Sequence, residues 1–140
     1  MQRHGRRRGF GRAGTLALAL TLAGCAHREP LRAAEAAFER GEMDLTARRY
    51  AEAIAANPRL LRRSGLVDRK RTADARVLAD RARTLAGQQR LDEALAAAEG
   101  ALRLDPDAED LTGVRSHVLR LLGDRQVERA LAAAREGDAH

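Results

Sequence analysis

One thiol, four imidazoles and one adjacent serine–histidine pair are among the groups in this 140-residue chain with the means for covalent or acid–base chemistry. Cys25 has no second cysteine to pair with, so its sulfur can be alkylated or acylated but not closed into an internal disulfide. His4, His27, His117 and His140 are scattered along the sequence, and nothing among them has metal-ligand spacing. Ser116 and His117 are neighbours on an expected helix, where adjacent side chains point in different directions and do not form a nucleophile and its base. The acidic pairs Asp92-Glu93 and Glu109-Asp110 stand near expected helix starts, where they favour the helix dipole. Gly87 and Gly123 are expected in turns between helices and match no phosphate-binding loop. The expectation is a protein that is not an enzyme, with no catalytic residue, no metal site and no small-molecule substrate.

The net charge of +6 is unevenly placed. Arg3, Arg6, Arg7, Arg8 and Arg12 all precede Cys25, and setting those five aside leaves 21 basic against 20 acidic residues. The basic balance is therefore mostly that of the leader, and nucleic acid is not an expected partner, since that would need a basic face on the rest of the chain. Alanine, leucine, arginine and glutamate dominate, all strong helix formers. Phe10, Phe38 and Tyr50 are the whole aromatic set. An all-α domain follows.

The basic segment to Arg12 is followed by AGTLALALTLA at 13–23, too short to span a bilayer but matching the apolar stretch of an export signal. Leu22-Ala23-Gly24-Cys25 then resembles the bacterial lipobox. That resemblance implies a signal peptide at 1–24, cleavage before Cys25, and a tether at 25–30. It also implies a covalent diacylglyceryl group and an N-acyl chain on Cys25, palmitate being the usual label, with no other cofactor. Arg7-Arg8-Gly9-Phe10 resembles a twin-arginine export motif, with Arg6 and Gly11 departing from its pattern. Ala26, where an aspartate often marks inner-membrane retention, leans towards a periplasm-facing anchor in the outer membrane.

The rest of the chain, 31–140, is self-similar. GQQRLDEALAAAE at 87–99 returns as GDRQVERALAAAR at 123–135, a shift of 36 residues. An upstream copy runs through Gly41, Met43, Tyr50, Ala53, Ile54 and Pro58, and the second copy closes with Ala101, Leu102 and Pro106. This resembles the tetratricopeptide repeat, a helix-turn-helix unit of about 34 residues. On its pattern the units span about 27–60, 75–108 and 111–140. Ala34, Tyr50, Ala53 and Pro58 take pattern positions in the first, Leu78, Ala82, Leu85, Ala94, Ala101 and Pro106 in the second, and Val118, Leu121 and Ala130 in the third. Ala98 stands where the pattern has an aromatic, Arg81 where it has an apolar residue, and the third unit lacks a closing proline. The 14 residues 61–74 exceed one repeat and are read either as a loop or as a backward extension of the next helix from about Asp68.

The resemblance implies a concave groove lined by the first helix of each unit, with Arg76, Arg83 and Arg115 as candidate partner-binding residues. It implies a membrane-anchored scaffold or adaptor for other envelope proteins, of the secretion, pilus or outer-membrane assembly type. Charge offers an alternative. Ten basic residues fall between Arg59 and Arg90 against three aspartates, while seven acids follow between Leu91 and Asp110 against Arg103 alone. Such a stretch could hold anionic lipid or a cell-wall polymer, in a structural envelope lipoprotein.

Overall fold

The computed structural model describes residues 28–137. The leader, the lipobox residues Leu22, Ala23 and Gly24, the acylation candidate Cys25, and His4, His27 and His140 lie outside the described residues. The described chain is all-α: α1 Arg28–Glu39, α2 Met43–Ala56, a 3-10 turn Pro58–Arg62, α3 Ser64–Gly87, α4 Leu91–Leu104 and α5 Glu109–Gly137. No helix among the described residues is long and apolar enough to cross a membrane. α1 begins inside the stretch expected to be tether.

Each helix buries the face its sequence spacing dictates. Thr46, Tyr50 and Ala53 are the buried residues of α2, and Leu91, Ala94, Ala98 and Ala101 those of α4, at helical intervals. Eleven of the nineteen buried apolar residues are alanine, so the helices meet with little side chain between them. Gly100 takes this furthest, since a Cβ there would stand 3.3 Å from Leu78 Cδ1 across the α3–α4 contact. The larger side chains fill what remains: Tyr50, Leu60 and Leu66 in one cluster, Leu85, Leu91 and Val118 in another. All three core clusters are built from residues between Leu31 and Leu122, so a chain starting at Arg28 holds the whole described core.

The first two hairpins share their turn hydrogen bonds and several buried positions at a displacement of 48 residues. Gly41 sits at φ 74° and Gln89 at φ 61°, the left-handed residue of each turn. Glu42 N–H donates to Ala37 C=O at 2.9 Å, and Arg90 N–H to Leu85 C=O at 3.0 Å. Gly41 N–H donates to Phe38 C=O and Gln89 N–H to Ala86 C=O, both at 3.0 Å. Asn57 N–H and Asp105 N–H close α2 and α4 on Ala53 and Ala101 C=O. The buried residues correspond in the same way: Ala34 with Ala82, Thr46 with Ala94, Tyr50 with Ala98, Ala53 with Ala101. Pro58 ends α2, and the Asn57 side chain accepts from Arg59 N–H at 3.2 Å, starting the 3-10 turn.

Residues 61–74 take the second of the two expected forms: after the 3-10 turn the next helix, α3, is extended backwards, to Ser64 and thus beyond Asp68, because Leu66 has a core to enter against the first hairpin. One element departs from the sequence reading. The third unit contains no hairpin. α5 is continuous from Glu109 to Gly137, and Gly123 lies within it instead of in a turn. Arg125, which corresponds to the left-handed Gln89, stays helical and pairs with Asp92 of α4 at 3.1 Å. A glycine costs a helix only about 1 kcal/mol relative to alanine, so it permits a turn without compelling one.

Tyr50 gives this core a pH signature. Its side chain is fully buried, and the hydroxyl lacks a hydrogen-bond partner although the Glu35–Arg69 ion pair is near. Burial pushes the phenol up to about 12, with Glu35 acting in the same direction and Arg69 against it. The unfolded phenol ionises first, so stability present below pH 10 is lost as pH rises from there through 12, by about 3 kcal/mol in all. Denaturant titrations across that range should show this loss in the natural chain and not in Tyr50→Phe. At neutral pH that variant should match or exceed the natural stability, because it removes an unsatisfied buried hydroxyl.

Candidate functional site

An open groove of about 620 Å³ runs between the C-terminal part of α3 and the N-terminal half of α5. Ala86 and Gly87 of α3 form one wall, and Gly113, Val114, Val118 and Leu121 of α5 the other, giving a mainly apolar floor. Arg83, Gln89, Asp110 and His117 supply its polar rim. The surface is that of a seat for an apolar segment whose polar groups meet the edge.

Position within the repeat explains why this groove is open. Val114, His117 and Leu121 correspond, 36 residues on, to Leu78, Arg81 and Leu85 of α3. Those three share a crevice with Glu93, Ala96 and Ala97 of α4, the helix that folds back over them. The matching segment of α5 runs straight on, so its side chains meet solvent: Val127 is 59% and Leu131 53% exposed, where the matching Leu91 is 1% exposed. The chain therefore carries an apolar groove and, beyond it on the same helix, an uncovered apolar face.

The three arginines singled out by sequence are placed differently from one another. Arg83 lines the groove and pairs with Asp80 at 2.5 Å. Arg76 is half-buried and pairs with Asp110, itself on the rim. Arg115 is exposed on α5 and is not among the lining residues. Val114 was not singled out, and His117 and Leu121 were read as an unpaired imidazole and a repeat position, not as groove residues; the 36-residue shift onto Leu78, Arg81 and Leu85 was the signal that could have found the groove.

The basic stretch is largely neutralised by its own fold. Of its ten cations, Arg69 pairs with Glu35, Lys70 with Asp74, Arg71 with Asp68, Arg76 with Asp110, Arg83 with Asp80 and Arg90 with Glu93. The Arg90–Glu93 pair is bidentate, at 2.7 and 2.5 Å, and holds the Glu93 carboxyl below the usual range. Arg69 also lies 5.6 Å over the Phe38 ring, joining α3 to α1. Ser116 and His117 are both exposed on α5, and no cluster of three metal-capable side chains occurs among the described residues. No family model, curated protein or solved structure matches this chain.

Proposed function

We propose that this chain is a periplasm-facing lipoprotein, anchored by lipid on Cys25, that binds other envelope proteins as a scaffold or adaptor and performs no reaction itself. The observation that carries the binding role is the exposed apolar pair Val127 and Leu131 on α5, further along the same helix than the groove. Isolated exposed leucines are ordinary, but these residues repeat the register that α4 buries. The two hairpins with matching turns, 48 residues apart, support reading the fold as tetratricopeptide-like, with α5 as an opened third unit. The sequence before Cys25 supports the export and anchoring. Outer-membrane placement rests on Ala26, and assembly or secretion systems are the class of partner such lipoproteins serve.

Crosslinking in intact envelopes tests the binding role. The double variant Val127→Glu, Leu131→Glu should keep the natural melting temperature, because both sites already face water. Recovery of crosslinked partner should fall by at least about tenfold, from burying two charges in the interface. Undiminished recovery from that variant would place the partner elsewhere on the molecule, and catalytic turnover by the pure chain would displace the scaffold reading.

A further inference from the structure

The geometry points to a membrane-contact tip at the 3-10 turn, where Leu61 and its flanking arginines meet an anionic phospholipid surface. The turn is rigid. Leu60 points inward and is 2% exposed, packed with Ala34, Leu66 and Leu31, while the following Leu61 points outward and is 56% exposed. Asn57 caps the turn from one side, and Arg63 N–H closes it on Leu60 C=O at 3.0 Å. A large apolar side chain is thus held in water at the apex of a fixed loop, with Arg59, Arg62 and Arg63 exposed around it.

Six of the ten cations of the basic stretch have carboxylate partners; among the described residues Arg59, Arg62, Arg63 and Arg81 form no ion pair, and three of these four sit at this turn. The first turns of α1 add to the same end of the molecule, because Leu31 and Arg63 line one crevice, and Arg28 and Arg32 are exposed there. Five arginines therefore share this end with Glu29, Glu35 and Glu52, of which Glu35 is already tied to Arg69 and Glu52 to Arg49. An exposed leucine within a ring of arginines fits the boundary of a bilayer, where the side chain enters the headgroup layer and the guanidinium groups meet phosphates.

The placement rests in part on the reading of Cys25 as the lipid attachment point, since α1 starts three residues after it and at this same end. The test leaves that reading aside. The chain from Arg28 to His140 holds the whole described core and contains no cysteine. It should sediment with vesicles of phosphatidylglycerol and phosphatidylcholine, weakly with phosphatidylcholine alone, and release as salt is raised. Arg59→Glu, Arg62→Glu, Arg63→Glu together should lower partitioning on the order of 100-fold, with melting temperature unchanged. An environment-sensitive dye on Leu61→Cys should shift to the blue on anionic vesicles, and the same dye on Ser116→Cys should not. Absence of sedimentation, equal binding to neutral vesicles, indifference to the triple reversal, or equal shifts at both dye positions would each overturn the tip. Capture of an acidic peptide by those arginines without vesicle binding would overturn it as well, in favour of a protein partner. Acylation of Cys25, read separately by fatty-acid labelling of the full chain, can hold or fall independently.

Discussion

Leu91→Asp is expected to leave the domain unfolded at room temperature, with helical circular dichroism reduced to that of a denatured chain. Leu91 opens α4 and is 1% exposed, packed with Leu85, Ala86, Ala94 and Val118. The cluster therefore joins α3, α4 and α5 at one point. A carboxylate there has no cation within the cluster. It must either be buried unpaired, which costs several kcal/mol, or protonate at similar expense. A domain of about 110 residues has roughly 5–15 kcal/mol of stability to lose, and one with an alanine-rich core sits low in that range. The same change at Leu95, which the periodicity also places on the buried face, should be milder, because Leu95 is only half-buried in the folded chain. A cooperative thermal transition near the natural temperature in Leu91→Asp would mean that α4 does not pack as described.

How much of this arrangement is legible in the residues differs from helix to helix. Ala34, Tyr50, Ala53, Ala82, Ala94 and Ala101 are all buried where the repeat pattern puts them, because small side chains at helical spacing leave few other packings for two adjacent helices. The turn at Gln89 is less legible, since only the register with Gly41 marks a glutamine as left-handed. α5 is not legible at all in its second half. Residues 123–135 repeat 87–99, yet one segment is a straight helix and the other a hairpin. Composition cannot distinguish them, because the difference lies in neighbours: α4 is covered by α3 and by α5, while a folded-back 126–137 would have no further helix over it among the described residues. The ion pairs divide along the same line. Lys70–Asp74 and Arg83–Asp80 are spaced one helical turn apart and can be read from sequence. Arg69–Glu35 and Arg76–Asp110 join residues 34 apart, which is why the basic stretch looks barer in sequence than it is in the fold.

Cys25→Ser should abolish fatty-acid incorporation altogether and leave the chain at its full 140-residue length, because the residue is the single thiol available. The expected effect is all-or-none for a chemical reason. A thiolate is a strong nucleophile near neutral pH and a serine hydroxyl is not, so no other residue can accept the diacylglyceryl group in its place. Without that group, the lipobox resemblance implies that the leader is not removed before position 25. The consequence for position at the membrane is large: each buried CH2 of an acyl chain contributes about 0.8 kcal/mol, one chain holds only marginally, and two hold stably. Three residues reach at most about 11 Å, so the lipid would hold the start of α1, with Arg28, close to the charged surface, within about one and a half Debye lengths at physiological salt. Anchoring and the arginine-ringed tip would then reinforce one another, the tether raising the local concentration at which weak surface contacts act. Mass spectrometry of the natural chain and the variant from membrane fractions decides the matter. A natural chain that keeps its leader, or one that begins at residue 25 without acyl mass, would remove the anchor from this account. The groove and the exposed face of α5 would remain for a partner met in solution.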